Sequence, residues 1–134
     1  MQLKYPYTTK TSSSFGIIPT IALWLYVYTP KGYLPLSFLF DTGSDVTSFP
    51  LLVAKKLGIN LTKCPKEIMT GYEGNEVTVY KSQVKINFGD KNFLVPCVFN
   101  PNPNVSTILG RAGILDKFNI ILDGKNKKIS FEEI

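Results

Sequence analysis

The chain has 134 residues, of which 44% are hydrophobic and 19% are charged, and its formal net charge is +5 with no histidine. This length and balance predict a single globular domain with its own core rather than a disordered segment. Because histidine is absent and only two cysteines are present, Ser-His and Cys-His catalysis, imidazole metal sites and a four-ligand structural zinc site are excluded. Carboxylates, hydroxyls, lysines and backbone groups remain as sources of chemistry, and we expect no metal and no cofactor.

The basic charge is scattered along the chain. All but one of the 15 basic residues are lysines, whereas nucleic-acid-binding proteins usually cluster their charge and use arginine for bidentate contacts, so we expect no nucleic-acid partner. No apolar stretch reaches the roughly 18 residues of a membrane helix, so we expect no membrane partner. No apolar signal-peptide core precedes Cys64 and Cys97. We therefore expect a cytoplasmic protein with reduced thiols, in which both cysteines act as small hydrophobic residues.

The chain opens with a polar segment and continues with a hairpin. Residues 1–14 are rich in Ser and Thr and are expected to form a flexible lead-in, unless a partner strand pins them, ahead of a folded domain over 15–134. Aromatic and branched residues then predict strands over 21–28 and 34–40, joined by a Pro-Lys-Gly turn. Trp24 and its neighbours are expected to lie in the core.

The rest of the chain predicts strands with one or two short helices. Short helices are predicted over 50–57, where proline fits the first turn, and over 112–117. A hairpin with a glycine-containing tip is predicted over 67–83. Further strands are predicted over 46–49, 84–88, 93–99, 107–110, 119–123 and 128–134. The fold class is therefore mostly β, a small closed or sandwiched sheet.

An apolar strand runs directly into Asp41, Thr42, Gly43 and Ser44. A carboxylate that follows the run Phe-Leu-Phe at 38–40 is costly to bury unless it is hydrogen-bonded or functional. Gly43 permits a tight turn, its amide and that of Ser44 can point at the carboxylate, and the Thr42 hydroxyl can tie down the turn. The same residue types readily form an Asx-type turn between strands, so the tetrad alone leaves a structural and a catalytic interpretation open.

Three features in the same order along the chain resemble the retropepsins, the aspartic proteases of retroviral type. The motif Asp-Thr-Gly-Ser/Ala-Asp-x-Thr matches at 41–47, a flap-like hairpin follows with Thr-Gly-Tyr-Glu-Gly at 70–74, and two hydrophobic residues before Gly-Arg match at 108–111. The resemblance covers the chain from about Ile17 to the C-terminus. It implies a retropepsin-like single-lobe acid-protease barrel.

The resemblance also implies an activity and an oligomeric state. A chain with one Asp-Thr-Gly loop needs two copies for a complete site, so Asp41 of each subunit of a homodimer would form a carboxylate dyad that shares a proton. Thr42 of each copy would grip the partner's loop, and the substrate would be a peptide or polyprotein. In retropepsins the chain termini interleave into an interface sheet, to which residues 128–134 are expected to contribute most here.

The resemblance assigns roles to further residues. Arg111, the only arginine, is implied to pair with Asp45 in the active-site loop, although a surface arginine at a helix start is the plain alternative. The implied flap could equally be a plain surface hairpin, and the implied subsite residues could be ordinary core or edge positions. The implied flap and substrate-binding residues are Gly71, Tyr72, Glu73, Gly74, Ser106 and Ile108.

These observations favour an aspartic endopeptidase. A non-catalytic dimerisation or peptide-binding module with the retropepsin fold is the main alternative, and the intact Asp-Thr-Gly-Ser loop at 41–44 argues against it. A nucleic-acid-binding β domain is a third possibility that only the net positive charge suggests. A peptide-cleavage assay separates the first two, and a steep salt dependence of nucleic-acid affinity would identify the third.

Overall fold

The computed structural model describes residues 2–70 and 74–134, and these residues form a mostly β fold. The strands of the first half are β1 (Gln2–Pro6), β2 (Thr8–Ser12), β3 (Gly16–Thr20), β4 (Ala22–Thr29), β5 (Gly32–Phe40) and β6 (Thr47–Pro50). The strands of the second half are β7 (Lys66–Thr70), β8 (Glu76–Phe88), β9 (Lys91–Asn100), β10 (Ile108–Leu109), β11 (Phe118–Asp123) and β12 (Lys128–Glu133). The helical segments are α1 (Val53–Lys56) and a 3₁₀ turn (Leu61–Lys63). The predicted class, mostly β with short helices, is confirmed.

The main sheet has seven strands and closes on itself. Its order is β4-β5-β10-β6-β9-β8-β7, and β4 also pairs with β8, which joins the two sides into a barrel. The short strand β10 lies parallel to β5 and antiparallel to β6. β5 and β10 run in the same direction. The segments that follow them therefore leave the sheet at the same end of the strands. The residues from Asp41 onward and those from Gly110 onward lie at that end of the sheet.

Alternating side chains on β4 fill the barrel from one face. Leu23, Leu25 and Val27 are buried, whereas the residues between them point outward. Trp24 lies on the outer face with 66% of its surface exposed, so the prediction that it belongs to the core is wrong. Side chains alternate between the two faces of a strand, so Trp24, which lies between the buried Leu23 and Leu25, points to solvent. Phenylalanines supply much of the remaining core, namely Phe38, Phe49, Phe88, Phe99, Phe118 and Phe131.

The N-terminal segment lies in strands. β1 pairs antiparallel with β12, and Tyr5 of β1 packs edge-on against Phe131 of β12 with ring centroids 6.0 Å apart. β2 and β3 form a separate hairpin. Within residues 2–14, a partner strand of the kind named as the exception to a flexible lead-in is present in the same chain. The division into a lead-in over 1–14 and a folded domain over 15–134 stays a prediction. Burial of the Tyr5 ring also raises the pKa of its hydroxyl.

β12 is the middle strand of a second sheet, which has the order β1-β12-β11. Both of its edges are paired within the chain, from Lys128 to Glu133 on the β11 side and from Lys128 to Glu132 on the β1 side. The expectation that 128–134 supplies most of an interface sheet therefore disagrees with the structure. A strand whose two edges are occupied has no backbone groups left for another chain.

The segment 112–117 forms successive turns, so the prediction of a helix there is wrong. The amides of Ile114 and Leu115 both donate to the carbonyl of Arg111 at 3.0 Å, which begins a helical turn. Gly113 then has a φ of +77°, a left-handed conformation that a right-handed helix cannot continue through. Across residues 2–70 and 74–134, no helix is long and apolar enough to cross a membrane.

Candidate active site

Asp41 follows directly on β5, at the end of the sheet where β5 and β10 both stop. In the parallel register Ile108 faces Leu39 and Leu109 faces Phe40. The amide of Asp41 donates to the carbonyl of Leu109 at 3.1 Å, so the pairing continues one residue beyond the strand. Asp41 as a whole residue is half-buried. It is thus held by two neighbouring strands and not by a free loop.

The loop after Asp41 is held by hydrogen bonds to both parts of that residue. The amide of Gly43 donates to Oδ1 of the Asp41 carboxylate at 2.8 Å, as the sequence predicts. The amide of Ser44 donates to the main-chain carbonyl of Asp41 at 3.2 Å instead of the carboxylate. The turn is tied down by the hydroxyl of Ser44, which donates to the Val46 carbonyl at 2.9 Å, whereas this role was expected of Thr42. Thr42 is exposed.

Thr47 and Gly110 join the active-site loop to β10. Thr47 is fully buried, and its Oγ1 accepts a hydrogen bond from the Gly110 amide at 3.1 Å. No role is predicted for either residue from the sequence, although both belong to the motifs at 41–47 and 108–111. The signal is a threonine at the start of a buried strand, since a hydroxyl buried there needs a partner. The contact fixes the distance between the segment that follows β5 and the segment that follows β10.

We expect Gly110→Ala to destabilise the fold by about 1–3 kcal/mol or more, because a Cβ at this position meets packed backbone. The added carbon would lie 2.9 Å from the Thr47 nitrogen and closer still to the carbonyl group of Val46. Gly124→Ala is the matched control, since nothing lies within 4 Å of the carbon added there. Thermal unfolding of the two variants checks the prediction. Equal melting temperatures would contradict it.

Arg111 forms an ion pair with Asp45. Its Nη2 contacts Oδ1 of Asp45, and its Nη1 donates to the Thr42 carbonyl at 3.3 Å, so the pairing implied by the resemblance is present. The Arg111 and Asp45 side chains are 46% and 78% exposed, so the pair itself adds at most about 1 kcal/mol to stability. Backbone bonds strengthen the connection, because the amides of Arg111 and Ala112 donate to the carbonyls of Ser44 and Asp45 at 3.0 and 2.9 Å. The pair therefore acts on the position of the loop more than on the stability of the fold.

Asp41 faces an open groove whose opposite wall is the end of β7. This groove has a volume of about 600 Å³ and includes Met69 and Thr70 with the loop residues. A smaller cavity of about 200 Å³ adjoins it. The side chains that line the smaller cavity are mostly aliphatic and include Val46, Met69, Val77, Val79, Val98, Val105 and Ile108. Ile108 lines both spaces. The lining valines on β8 and β9 were not predicted, because those strands carry no chemical motif.

The predicted flap lies partly outside the described residues. β7 and β8 pair antiparallel up to Thr70 opposite Glu76, so the hairpin itself is present. The predicted tip residues Gly71, Tyr72 and Glu73 lie outside the described part of the chain. Gly74 is described and has a φ of +77°, and among the described residues no atom lies within 4 Å of a Cβ built on it. Ser106, the remaining predicted subsite residue, is exposed.

Other reactive groups are engaged elsewhere. Burial is the main cause that raises the pKa of the Cys97 thiol to about 12, and the nearby Cys64 adds to the shift, so Cys97 is not a thiolate at neutral pH. Asp123 accepts hydrogen bonds from the amide of Asn126 at 3.0 Å and from its side chain at 2.7 Å, which lower the pKa of that carboxyl. Over 2–70 and 74–134, no group of three or more His, Cys, Asp or Glu side chains is placed to hold a metal ion.

Comparison with known proteins agrees with this geometry. A retropepsin-like aspartic protease from Rickettsia conorii has a similar structure, with a TM-score of 0.65 and 14% identity over 98% of this chain and 90% of that one. The EIAV protease, solved in complex with an inhibitor, aligns with a TM-score of 0.53 and 20% identity over 69% of this chain and 82% of that one. These structures confirm the retropepsin-like fold. No curated protein sequence matches the chain significantly.

A family-level match covers more than half of the sequence. The aspartyl protease family matches residues 28–112, a range that includes the loop at Asp41, the β7–β8 hairpin and Arg111. The same range contains the ion pair between Asp45 and Arg111 and the contact between Thr47 and Gly110. The chain therefore belongs to the aspartyl protease family.

Proposed function

We propose that this protein is an aspartic endopeptidase that acts as a homodimer, with Asp41 of each copy supplying one of two catalytic carboxylates. The observation that carries the proposal is the position of Asp41. The residue is half-buried at the end of β5, its carboxylate accepts a hydrogen bond from the Gly43 amide at 2.8 Å, and it borders an open groove. A structural Asx turn needs the hydrogen bond but has no use for the groove.

Two other carboxylates, one in the loop after Asp41 and one in the turn between β11 and β12, are already engaged. Asp45 borders the same groove, but its Oδ1 contacts Arg111. Asp123 is bound by Asn126 in the turn between β11 and β12. The Arg111 guanidinium occupies one of these carboxylates and the Asn126 amides occupy the other, so neither is free to pair with Asp41. This supports a second copy as the source of the second acid.

The proposed reaction uses the two Asp41 groups in different protonation states. Two carboxylates held close share one proton, because like charges disfavour ionisation of both. The ionised Asp41 accepts a proton from water, the water oxygen bonds to the scissile carbonyl carbon, and the protonated Asp41 of the second copy donates to the carbonyl oxygen. The tetrahedral intermediate then breaks its C–N bond as the first Asp41 passes the proton taken from water to the amine nitrogen, and the second Asp41 recovers a proton from a hydroxyl of the intermediate. Carboxylate and amine termini are the products.

The surroundings of Asp41 support a peptide substrate. The adjoining cavity of about 200 Å³ has a mostly aliphatic lining, which suits an apolar side chain, and the β7–β8 hairpin forms one wall of the groove. We propose that this hairpin is a flap whose tip, including Gly71 to Gly74, closes over a peptide or polyprotein chain. A cytoplasmic location belongs to the same proposal, with the free thiols of Cys64 and Cys97 as its support.

A cleavage assay tests the proposal. The purified protein is incubated with an unfolded protein substrate from acidic to neutral pH, and new termini are identified by mass spectrometry. We expect internal cuts whose yield depends on the Asp41 carboxyl. Absence of cleavage under conditions where the protein is shown to be dimeric would refute the proposal and favour a peptide-binding module.

We expect Arg111→Lys to reduce cleavage about tenfold or more, because an ammonium cannot contact Asp45 and the Thr42 carbonyl with the fixed fork of a guanidinium. The rate and the dimer dissociation constant are measured together.

The control for this prediction is a double-mutant cycle. Asp45→Asn removes the same ion pair from the other side, so the two changes combined in one chain should cost much less than the sum of the single effects. Unchanged cleavage and unchanged dimer affinity in Arg111→Lys would identify Arg111 as an ordinary surface residue.

A further inference from the structure

One edge of the second sheet has unpaired backbone groups. At the end of the β11–β12 ladder, the amide of Ile134 donates to the carbonyl of Lys117 at 3.0 Å. Hydrogen-bonded pairs alternate along an antiparallel ladder, so Phe118, Ile120 and Leu122 direct their N–H and C=O groups away from β12. No backbone partner for these groups is found within 2–70 and 74–134.

This edge lacks the features that usually keep an edge strand from pairing. β1 on the opposite side of the same sheet carries Lys4 and Pro6 at its outward-facing positions, and β3 carries Pro19. β11 has no lysine, arginine or proline, and its one charge is Asp123 at its last position. Ile121 and Leu122 are 51% and 57% exposed. A short apolar edge without such protection is a site for strand addition.

We propose that two copies of this chain pair through β11, antiparallel across a two-fold axis, and so form a continuous six-stranded sheet. This inference rests on the proposed function, because a site with one Asp41 per chain is incomplete without a second copy. A strand that pairs antiparallel with itself forms an isologous interface, the symmetry that a carboxylate dyad requires. The interface differs from interleaved termini, since β1 and β12 already pair within one chain.

β11 is also linked directly to the active-site loop. It starts after the turn of 111–117, whose residues Arg111 and Ala112 donate backbone hydrogen bonds to Ser44 and Asp45. From the other side, Phe40 immediately before Asp41 packs edge-on against Phe131 of β12, with ring centroids 5.7 Å apart. A pairing of β11 with its copy therefore fixes both Asp41 loops relative to one axis.

The test compares two proline variants. Leu122→Pro removes an N–H that points to the open edge of β11, and Lys4→Pro removes an N–H that points to the open edge of β1. Neither N–H donates within its ladder, so both folds should survive, as circular dichroism and thermal unfolding check. We expect Leu122→Pro to raise the dimer dissociation constant at least tenfold in sedimentation equilibrium, and Lys4→Pro to leave it unchanged.

The outcomes separate this proposal from the proposed function. If the wild type dimerises and cleaves peptides but Leu122→Pro dimerises as tightly as Lys4→Pro, the β11 interface is wrong and the protease proposal stands. If the wild type dimerises without cleaving peptides and Leu122→Pro raises the dimer dissociation constant, the interface stands and the protease proposal fails. A wild-type chain that stays monomeric at all concentrations overturns the interface. If Leu122→Pro unfolds, Ile121→Lys with Leu94→Lys as control replaces the pair, since both side chains are exposed.

Discussion

Asp41→Asn should abolish peptide cleavage, with a loss of at least about 1,000-fold, while the fold is kept. General acid–base groups typically contribute 100- to 10,000-fold, and in the proposed dimer the same residue supplies both the acid and the base. The amide oxygen of Asn can still accept the hydrogen bond from the Gly43 amide, so the turn keeps its geometry. The measurement is the initial rate of cleavage at a concentration where the protein is dimeric.

Two controls make this result interpretable. Asp90→Asn makes the same chemical change in the exposed turn between β8 and β9 and should leave the rate unchanged. Thermal unfolding of Asp41→Asn should match the wild type, and its dimer should be slightly tighter because the charge repulsion at the two-fold axis is gone. Residual activity of even a few per cent of the wild-type rate would show that Asp41 is not the catalytic carboxylate.

The parts of the fold that follow from local sequence agree with the structure. The hairpin of β4 and β5 is predicted because its strands are rich in aromatic and branched residues and flank a turn-forming sequence. The hydrogen bond from the Gly43 amide to the Asp41 carboxylate is also predicted from local sequence, because its two residues are only two positions apart. The outward position of Trp24 shows the limit of such reasoning. Alternation defines two faces of a strand, and only packing against the rest of the chain decides which face lies inside.

Contacts between distant residues account for what the sequence does not show. The ion pair of Asp45 with Arg111 joins residues 66 positions apart, and only the family resemblance predicted it. The contact of Thr47 with Gly110 spans 63 positions: the local sequence indicates that the buried Thr47 hydroxyl needs a partner, but not which residue supplies it. The turns at 112–117 depend on the positive φ of Gly113, which a helical pattern of apolar residues conceals. The pairing of β12 on both edges depends on where the N-terminus folds back, which strand propensity alone does not specify.

Specific activity should rise with protein concentration and level off once the dimer is saturated. One chain supplies one Asp41, and a single carboxylate cannot accept a proton from water and donate one to the carbonyl in the same step. An excess of Asp41→Asn chains mixed into the wild type should then inhibit it, because mixed dimers hold one working aspartate. At tenfold excess and equal affinities, mass action leaves roughly a tenth of the wild-type chains in active dimers.

The mixing experiment discriminates between a shared site and a site within one chain. Serum albumin at the same mass concentration is the control for nonspecific effects and should leave the rate unchanged. If the protein remains monomeric by light scattering and its specific activity does not depend on concentration, the shared dyad is wrong. A second acid must then lie within the chain, and Asp45 becomes the first residue to test. It borders the groove of Asp41, and it could act only if its ion pair with Arg111 opened.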